Sequence, residues 1–252
     1  MQATGELSKA FEAFSKMRQD VSMTKQIIDI SKHLIEVAIE QENWNAVTSH
    51  TQKIKGLLST SEEDKLLLPY LSACEGLAYL DAKEYHVAAH RFLQCETGVG
   101  FKFNTIITPN DIAVYGGLCA LATMDRNELQ ANVLENSSFR TYLELEAHIR
   151  RAITFFINSK YTSCLEVLES YRTDYLLDIH LQKHFDDLYQ LVRSKSIVQY
   201  FIPFSKVTLD ELNKAFMPPG KSIEKELVQM IMRKELNARI DTIDRVSTTS
   251  CK

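Results

Sequence analysis

The sequence predicts a mainly α-helical protein: a solenoid of stacked helix pairs followed by a small α/β module of two helices and a β-hairpin. Three observations carry this reading. Helix breakers are scarce, with 8 glycines and 5 prolines among 252 residues, where average composition would give roughly 7% glycine. Apolar residues recur with the helical period through nearly the whole chain. A hairpin pattern also repeats, and its first two aromatics, Trp44 and Tyr85, lie 41 residues apart, a spacing typical of paired-helix repeats.

The repeat is seen by aligning helix ends. IEVAIEQENWNAV, GLAYLDAKEYHVA and ITFFINSKYTSCL each run from an apolar helix through a short polar turn to an aromatic. The aromatics Trp44, Tyr85 and Tyr161 are followed three residues later by Val47, Ala88 and Cys164. Each aromatic is expected to pack between its own two helices, and the small residues let the next pair approach. A degenerate copy, GLCALATMDRNELQANV, has its turn at Asp125 to Asn127. Within the second copy Leu71, Cys74, Leu77 and Ala78 share one helix face. Thr108-Pro109-Asn110-Asp111 marks a helix start, with a capping hydroxyl, proline at the first helical position and an acid in the first turn. Ser138 is the expected N-cap of a stripe made by Tyr142, Leu143, Ile149, Ile153 and Phe156. The adjacent Gly116 and Gly117 lack the further glycines or lysine of a phosphate-binding loop. They are expected to permit close helix packing.

From about Ser196 the pattern changes. SIVQYFIPFSK is an aromatic helix end broken by Pro203. Thr208 and Glu211 have capping-box spacing, and Val207 with Leu212 can form the accompanying staple. A short helix (Leu209 to Phe216), the turn MPPGKS and a longer helix (Ile223 to Leu236) follow. Two strands near 238–242 and 245–248, turning at Ile243-Asp244, complete the order of a winged helix. The expected division is 1–110 for N-terminal helical repeats, 111–204 for a second helical region and 205–252 for the winged helix.

Composition and motifs narrow the chemistry. A net charge of -4 and a pI near 6.0 give no global attraction to nucleic acid or anionic lipid. Residues 207–252 carry eight Lys or Arg and seven Asp or Glu, a balance of +1. That mixed face argues against the alternative of winged-helix nucleic-acid binding, which needs several phosphates neutralised. The most apolar window, Leu66 to Leu80, contains Pro69 and Glu75 and is too short to span a bilayer. Five cysteines (Cys74, Cys95, Cys119, Cys164, Cys251) form no Cys-x-x-Cys pair. With no signal-peptide pattern in the first twenty residues, they point to a reducing compartment. The first four read as small hydrophobes. His86/His90 and His180/His184 have metal-ligand spacing on a helix but lack the glutamate and third ligand of a zinc enzyme, and no His-x-His occurs. Asp186-Asp187 and Glu62-Glu63-Asp64 read as first-turn acids or solvated faces. The expectation is therefore no catalytic residue, no cofactor, no metal and no small-molecule substrate, with the chain in cytoplasm and nucleus.

Specific segments add a family resemblance. DIAVYGGLCALATMDRNELQANVLENSSFRTYLELEAHIRR (Asp111 to Arg151) and YTSCLEVLESYRTDYLLDIHLQKHFDDLYQLVRSKSIVQYFIPF (Tyr161 to Phe204) resemble subunit one of the COP-nine signalosome. LNKAF…IEKELVQMI…LNARID resembles that family's winged helix, and Ile240 to Val246 its wing. The related subunit of the proteasome lid is the alternative within the class. The resemblance implies a PCI domain: right-handed, TPR-like helical repeats (the helical part being 111–204) capped by a winged helix (205–252). It implies a non-catalytic scaffold in a complex that removes a ubiquitin-like modifier from cullins, the metalloprotease being another subunit. The implied partners are other PCI subunits and cullin-RING ligase components, and a free PCI edge also permits a homodimer of the isolated chain. Arg239, Ile240, Asp241, Thr242, Arg245 and Val246 are the expected interface, while Leu227, Ile231 and Leu236 are expected in the module's own core. Family members run longer at the N-terminus and continue past the wing into C-terminal helices, where this sequence has STTSCK.

Overall fold

A computed structural model of the chain describes residues 5–58, 67–96, 106–204, 206–217, 221–241 and 246–249. The chain forms two compact units, Met1–Ala120 with Asn127–Ala147, and Leu121–Arg126 with His148–Lys252. The sequence division at 110 and 204 marks changes of pattern, whereas these units group residues that pack together.

The first unit holds α1 (Leu7–Gln19), α2 (Thr24–Glu40), α3 (Trp44–Leu57), α4 (Leu68–Asp81) and α5 (Tyr85–Leu93), each packing against the next. The repeat is present as expected: Trp44, Tyr85 and, in the second unit, Tyr161 each open the second helix of a hairpin. Val47, Ala88 and Cys164 are completely buried. The turns share one geometry. Glu42, Lys83 and Ser159 all adopt φ near +60°. Each donates its N–H to the carbonyl three residues back, and the next residue donates to the carbonyl five back, as in Asn43 to Ala38 at 2.8 Å, Glu84 to Tyr79 at 2.9 Å and Lys160 to Phe155 at 2.8 Å. This Schellman arrangement closes the last carbonyls of the helix, and glycine usually fills its left-handed position.

Helix α4 goes beyond the single apolar face read from the sequence. Pro69 to Ala78 and Leu80 are all buried, because α3 and α5 cover it from both sides. That burial includes Glu75, only 1% exposed. Gln52 and Lys55 from α3 donate to its carboxylate at 3.0 and 2.8 Å, and Arg91 from α5 lies 3.4 Å away. A buried charge is tolerated only when paired in this way.

The expectation for Gly116 is met in α6 (Pro109–Thr123). A Cβ there would lie 2.9 Å from Phe92 Cβ and 3.0 Å from the Phe139 ring. Gly76 on α4 is equally close-packed, its added Cβ falling 2.6 Å from the Phe92 ring. One fully buried phenylalanine thus fills the space that two glycines leave. The start of α6 follows the sequence reading: Asp111 N–H donates to Thr108 Oγ1 at 3.2 Å, and Thr108 N–H to Asp111 Oδ2 at 2.8 Å. A short turn, α7 (Arg126–Glu128), continues into a π-helical stretch, Leu129–Leu134, and α8 (Ser137–Leu145). The cap of α8 is Asn136 and not Ser138. Its side chain accepts from the Ser138 and Phe139 N–H groups, both at 3.1 Å, with the extended backbone that a cap requires. The predicted stripe is also divided, since the backbone leaves the helical region at Glu146.

The second unit contains α9 (Ala147–Ile157), α10 (Tyr161–Ser170), α11 (Arg172–Leu177) and α12 (Phe185–Phe201). His180 and His184 do not share a helix face, because they lie in the turn between α11 and α12. Asp186 and Asp187 sit in the first turn of α12, as expected. There follow β1 (Lys206–Thr208), α13 (Leu209–Phe216), α14 (Glu224–Met232), β2 (Ala238–Asp241) and β3 (Val246–Thr249). The sheet is antiparallel with order β1-β3-β2. Strand β1 was not legible as a strand, and α14 is shorter than the predicted 223–236. It stops at another Schellman turn, with Lys234 at φ 60° and Glu235 N–H donating to Met230 at 2.9 Å. The predicted turn at Ile243-Asp244 lies outside the described residues.

Candidate interaction surface of the winged module

The module is built from local signals first. Thr208 Oγ1 accepts from Glu211 N–H at 3.2 Å while the Glu211 carboxylate accepts from Thr208 N–H at 3.3 Å, so the predicted capping box starts α13. Val207 and Leu212 are both buried. Val207 lies on β1, paired with Ser247 of β3, and the start of α13 is therefore tied to the sheet. Leu227 and Leu236 are buried and Ile231 half-buried, so these three serve mainly as the module's own core.

The sheet order sets which backbone is open. Strand β3 is central: Val246 faces Thr208 of β1 on one side and Asp241 of β2 on the other. Among the described strands β2 pairs with β3 alone, and it is an edge. Ala238 is buried, Arg239 exposed and Ile240 half-buried, the alternation of a strand covered on one face. Of the six predicted interface residues, Arg239, Ile240 and Asp241 thus lie on an edge strand. Val246 lies on the interior strand, with its backbone opposed on both sides. Thr242 and Arg245 fall outside the described residues.

Polar contacts fasten the module to the helices before it. Arg193 of α12 donates from Nε to Glu226 Oε1 at 2.7 Å and from Nη2 to Glu226 Oε2 at 2.9 Å and the Phe216 carbonyl at 2.9 Å. Burial works against the guanidinium charge, but the Glu226 hydrogen bonds and charge outweigh it and raise the Arg193 pKa above its ordinary value. Thr162 Oγ1 donates to the Ala215 carbonyl at 2.7 Å. Tyr200 stacks edge-on against Phe216 at 5.4 Å and against Tyr161 at 6.5 Å. Between these contacts lies a cleft of about 760 Å³ lined by Glu169, Arg172, Tyr189, Lys214, Lys221 and Glu226. Its charges are of both signs and largely answer one another, as in the Arg193–Glu226 and Arg172–Glu169 pairs. Sequence reading missed Arg193, whose partner is 33 residues away; no local pattern announces such a pair.

The residues singled out for chemistry are arranged for packing. Cys74, Cys95, Cys119 and Cys164 are buried free thiols. Burial pushes Cys95 and Cys164 up to about 12 and raises Cys74 and Cys119 further, which keeps them out of the reactive thiolate form. Cys251 lies outside the described residues. His86 and His90 of α5 stack edge-on, 4.7 Å between centroids, and among the described residues no group of three His, Cys, Asp or Glu is placed to hold a metal ion. No helix among them is long and apolar enough to cross a membrane.

Helix hairpins followed by a winged module with an edge strand define the class to which comparison with known proteins can be put. The pattern of the family described as 26S proteasome subunit RPN7 matches residues 2–132, and that of the PCI domain matches residues 168–249. The chain belongs to this family and carries a PCI domain. Among individual proteins it is similar to COP9 signalosome complex subunit 1 of Neurospora crassa, 50% identical over 97% of this chain and 58% of that protein. The subunit 1 of Arabidopsis thaliana is 40% identical over 97% of this chain and 55% of that protein. The 26S proteasome non-ATPase regulatory subunit 6 homolog of Arabidopsis thaliana is 22% identical over 96% of this chain and 62% of that protein. The chain therefore spans little more than half the length of these signalosome relatives.

Proposed function

We propose that this chain acts as a non-catalytic scaffold subunit of a signalosome-type complex, joining neighbouring PCI subunits through the β2 edge of its winged module. The observation that carries the reading is that edge, Ala238–Asp241, on a module anchored by Arg193, with β1 forming the opposite edge of the sheet. An edge strand offers unpaired backbone groups for strand addition. Identity of 40 to 50% with signalosome subunits against 22% with the proteasome relative favours the signalosome over the lid. The buried, high-pKa thiols support a role in shape and packing. In such a complex the deneddylation of cullins falls to another subunit, and this chain contributes geometry in cytoplasm and nucleus.

Replacing Ile240 with proline removes one backbone donor and fixes φ in the middle of β2. The variant is expected to lose co-purification of a neighbouring PCI subunit while keeping its helical circular dichroism. Undiminished co-purification would refute edge docking.

A further inference from the structure

We propose that a pocket between the first two hairpin turns binds an arginine-bearing segment of a partner protein. The pocket is about 380 Å³, within the range of small-ligand sites. It lies wholly in the first unit, formed by the α2–α3 and α4–α5 turns. Its walls include two aromatic rings, Trp44 and Tyr79, and three carboxylates, Glu42, Asp81 and Glu84, with no lysine or arginine among the lining residues.

The aromatic is what sets this turn apart. At the equivalent position of the other hairpins Tyr85 and Tyr161 are 6% and 4% exposed, consumed by packing between their helices. Trp44 opens α3 from the same position yet is only half-buried, and it lines the pocket. Tyr79 is likewise half-buried, and Arg91 Cζ already lies 5.9 Å from its ring centroid, an intramolecular instance of the same attraction. Helix dipoles do not decide the sign here. The C-termini of α2 and α4 and the N-termini of α3 and α5 meet at these turns and largely cancel, leaving the side-chain charges dominant. Asp81 is the last residue of α4, whose final turn holds no base; an acid there is placed against the helix dipole and lends its charge to the pocket. Lys83 is the nearby exposed base, and it, Glu42 and Trp44 each already make an interaction within the chain, so the pocket's acidity toward a ligand rests on Asp81 and Glu84. A planar guanidinium stacks on an indole and pairs with carboxylates at once, which an ammonium does less well.

Trp44 is the chain's one tryptophan, so its emission reports occupancy directly. The probe is a short acetylated and amidated peptide with two arginines, titrated into the 252-residue chain at low salt, with a glutamate peptide of equal length as control. A saturable change in Trp44 emission is expected with the arginine peptide alone. Asp81→Asn combined with Glu84→Gln should weaken binding about tenfold, and Trp44→Leu should weaken it similarly by calorimetry. Glu128→Gln, an acid outside the pocket, should leave it unchanged. The proposal is overturned by no saturable change, by equal response to the glutamate peptide, or by Glu128→Gln weakening binding as much as the pocket variants do.

Discussion

Phe92 in the first unit and Arg193 in the second do comparable jobs by different physics. Each is a single side chain that meets two other elements. Phe92 is fully buried against Gly76 of α4 and Gly116 of α6, held by contact with atoms that cannot move away. Arg193 reaches Glu226 and the Phe216 carbonyl through directed hydrogen bonds and stays partly hydrated, with 12% of its side chain exposed. The first kind of joint fails when volume changes, the second when donors are lost. Phe92 thus fixes its part of the helix array by steric fit, while Arg193 fastens the winged module by polar contacts made at a distance in sequence.

That contrast can be broken most forcefully at Phe92. Phe92→Ala should cost about 3 to 5 kcal/mol in chemical denaturation, because the lost ring leaves a cavity that rigid helices cannot close. Gly116→Ala tests the same fit from the opposite side. Alanine favours a helix by roughly 1 kcal/mol, yet overpacking against Phe92 and Phe139 should reverse the sign and give a net loss of about 1 to 3 kcal/mol. Gly56→Ala is the internal control. Nothing lies within 4 Å of its added Cβ on α3, so it should be neutral or stabilise by up to about 1 kcal/mol.

For the polar joint, Arg193→Met keeps volume but strands Glu226 and the Phe216 carbonyl. A loss of about 1 to 2 kcal/mol is expected, seen as faster hydrogen exchange in α13 and α14 with α2 to α5 unchanged. The smallest effect concerns His50 of α3, whose ring meets Phe11 of α1 edge-on at 6.1 Å. Burial first, then Lys53 and Arg18, lowers its pKa from 6.5. A lowered histidine pKa stabilises the fold above the unfolded value, and that contribution is lost as pH falls through the folded value. The urea midpoint should therefore drop between about pH 7.5 and pH 5.5, and drop less in His50→Gln.

The division between steric and polar joints also explains what was legible in the sequence. The hairpin aromatics, the Thr108 cap of α6, the capping box of α13 and the glycine of α6 are local, and each imposes its structure within a few residues. Gly116 was readable because a helix tolerates glycine at a cost, so its presence asks for a reason. Ser138 was misread as a cap because Asn136, two residues earlier, competes with an equally good acceptor. Strand β1 escaped because three residues acquire their conformation only from pairing with β3. The Schellman turns were hidden because Glu, Lys and Ser occupy positions usually marked by glycine. In the site, the β2 edge followed from pattern and resemblance, but the sheet order that places Val246 inside did not, since order is a property of three strands together.

The proposed docking depends most on the edge of β2. Hydrogen exchange of the chain alone and in the assembled complex would test it directly, read at the amides of residues 238–241. Edge docking should protect these amides strongly on assembly, with no comparable change in the amides of α4. Amides that exchange equally fast in the complex and in the free chain would contradict it.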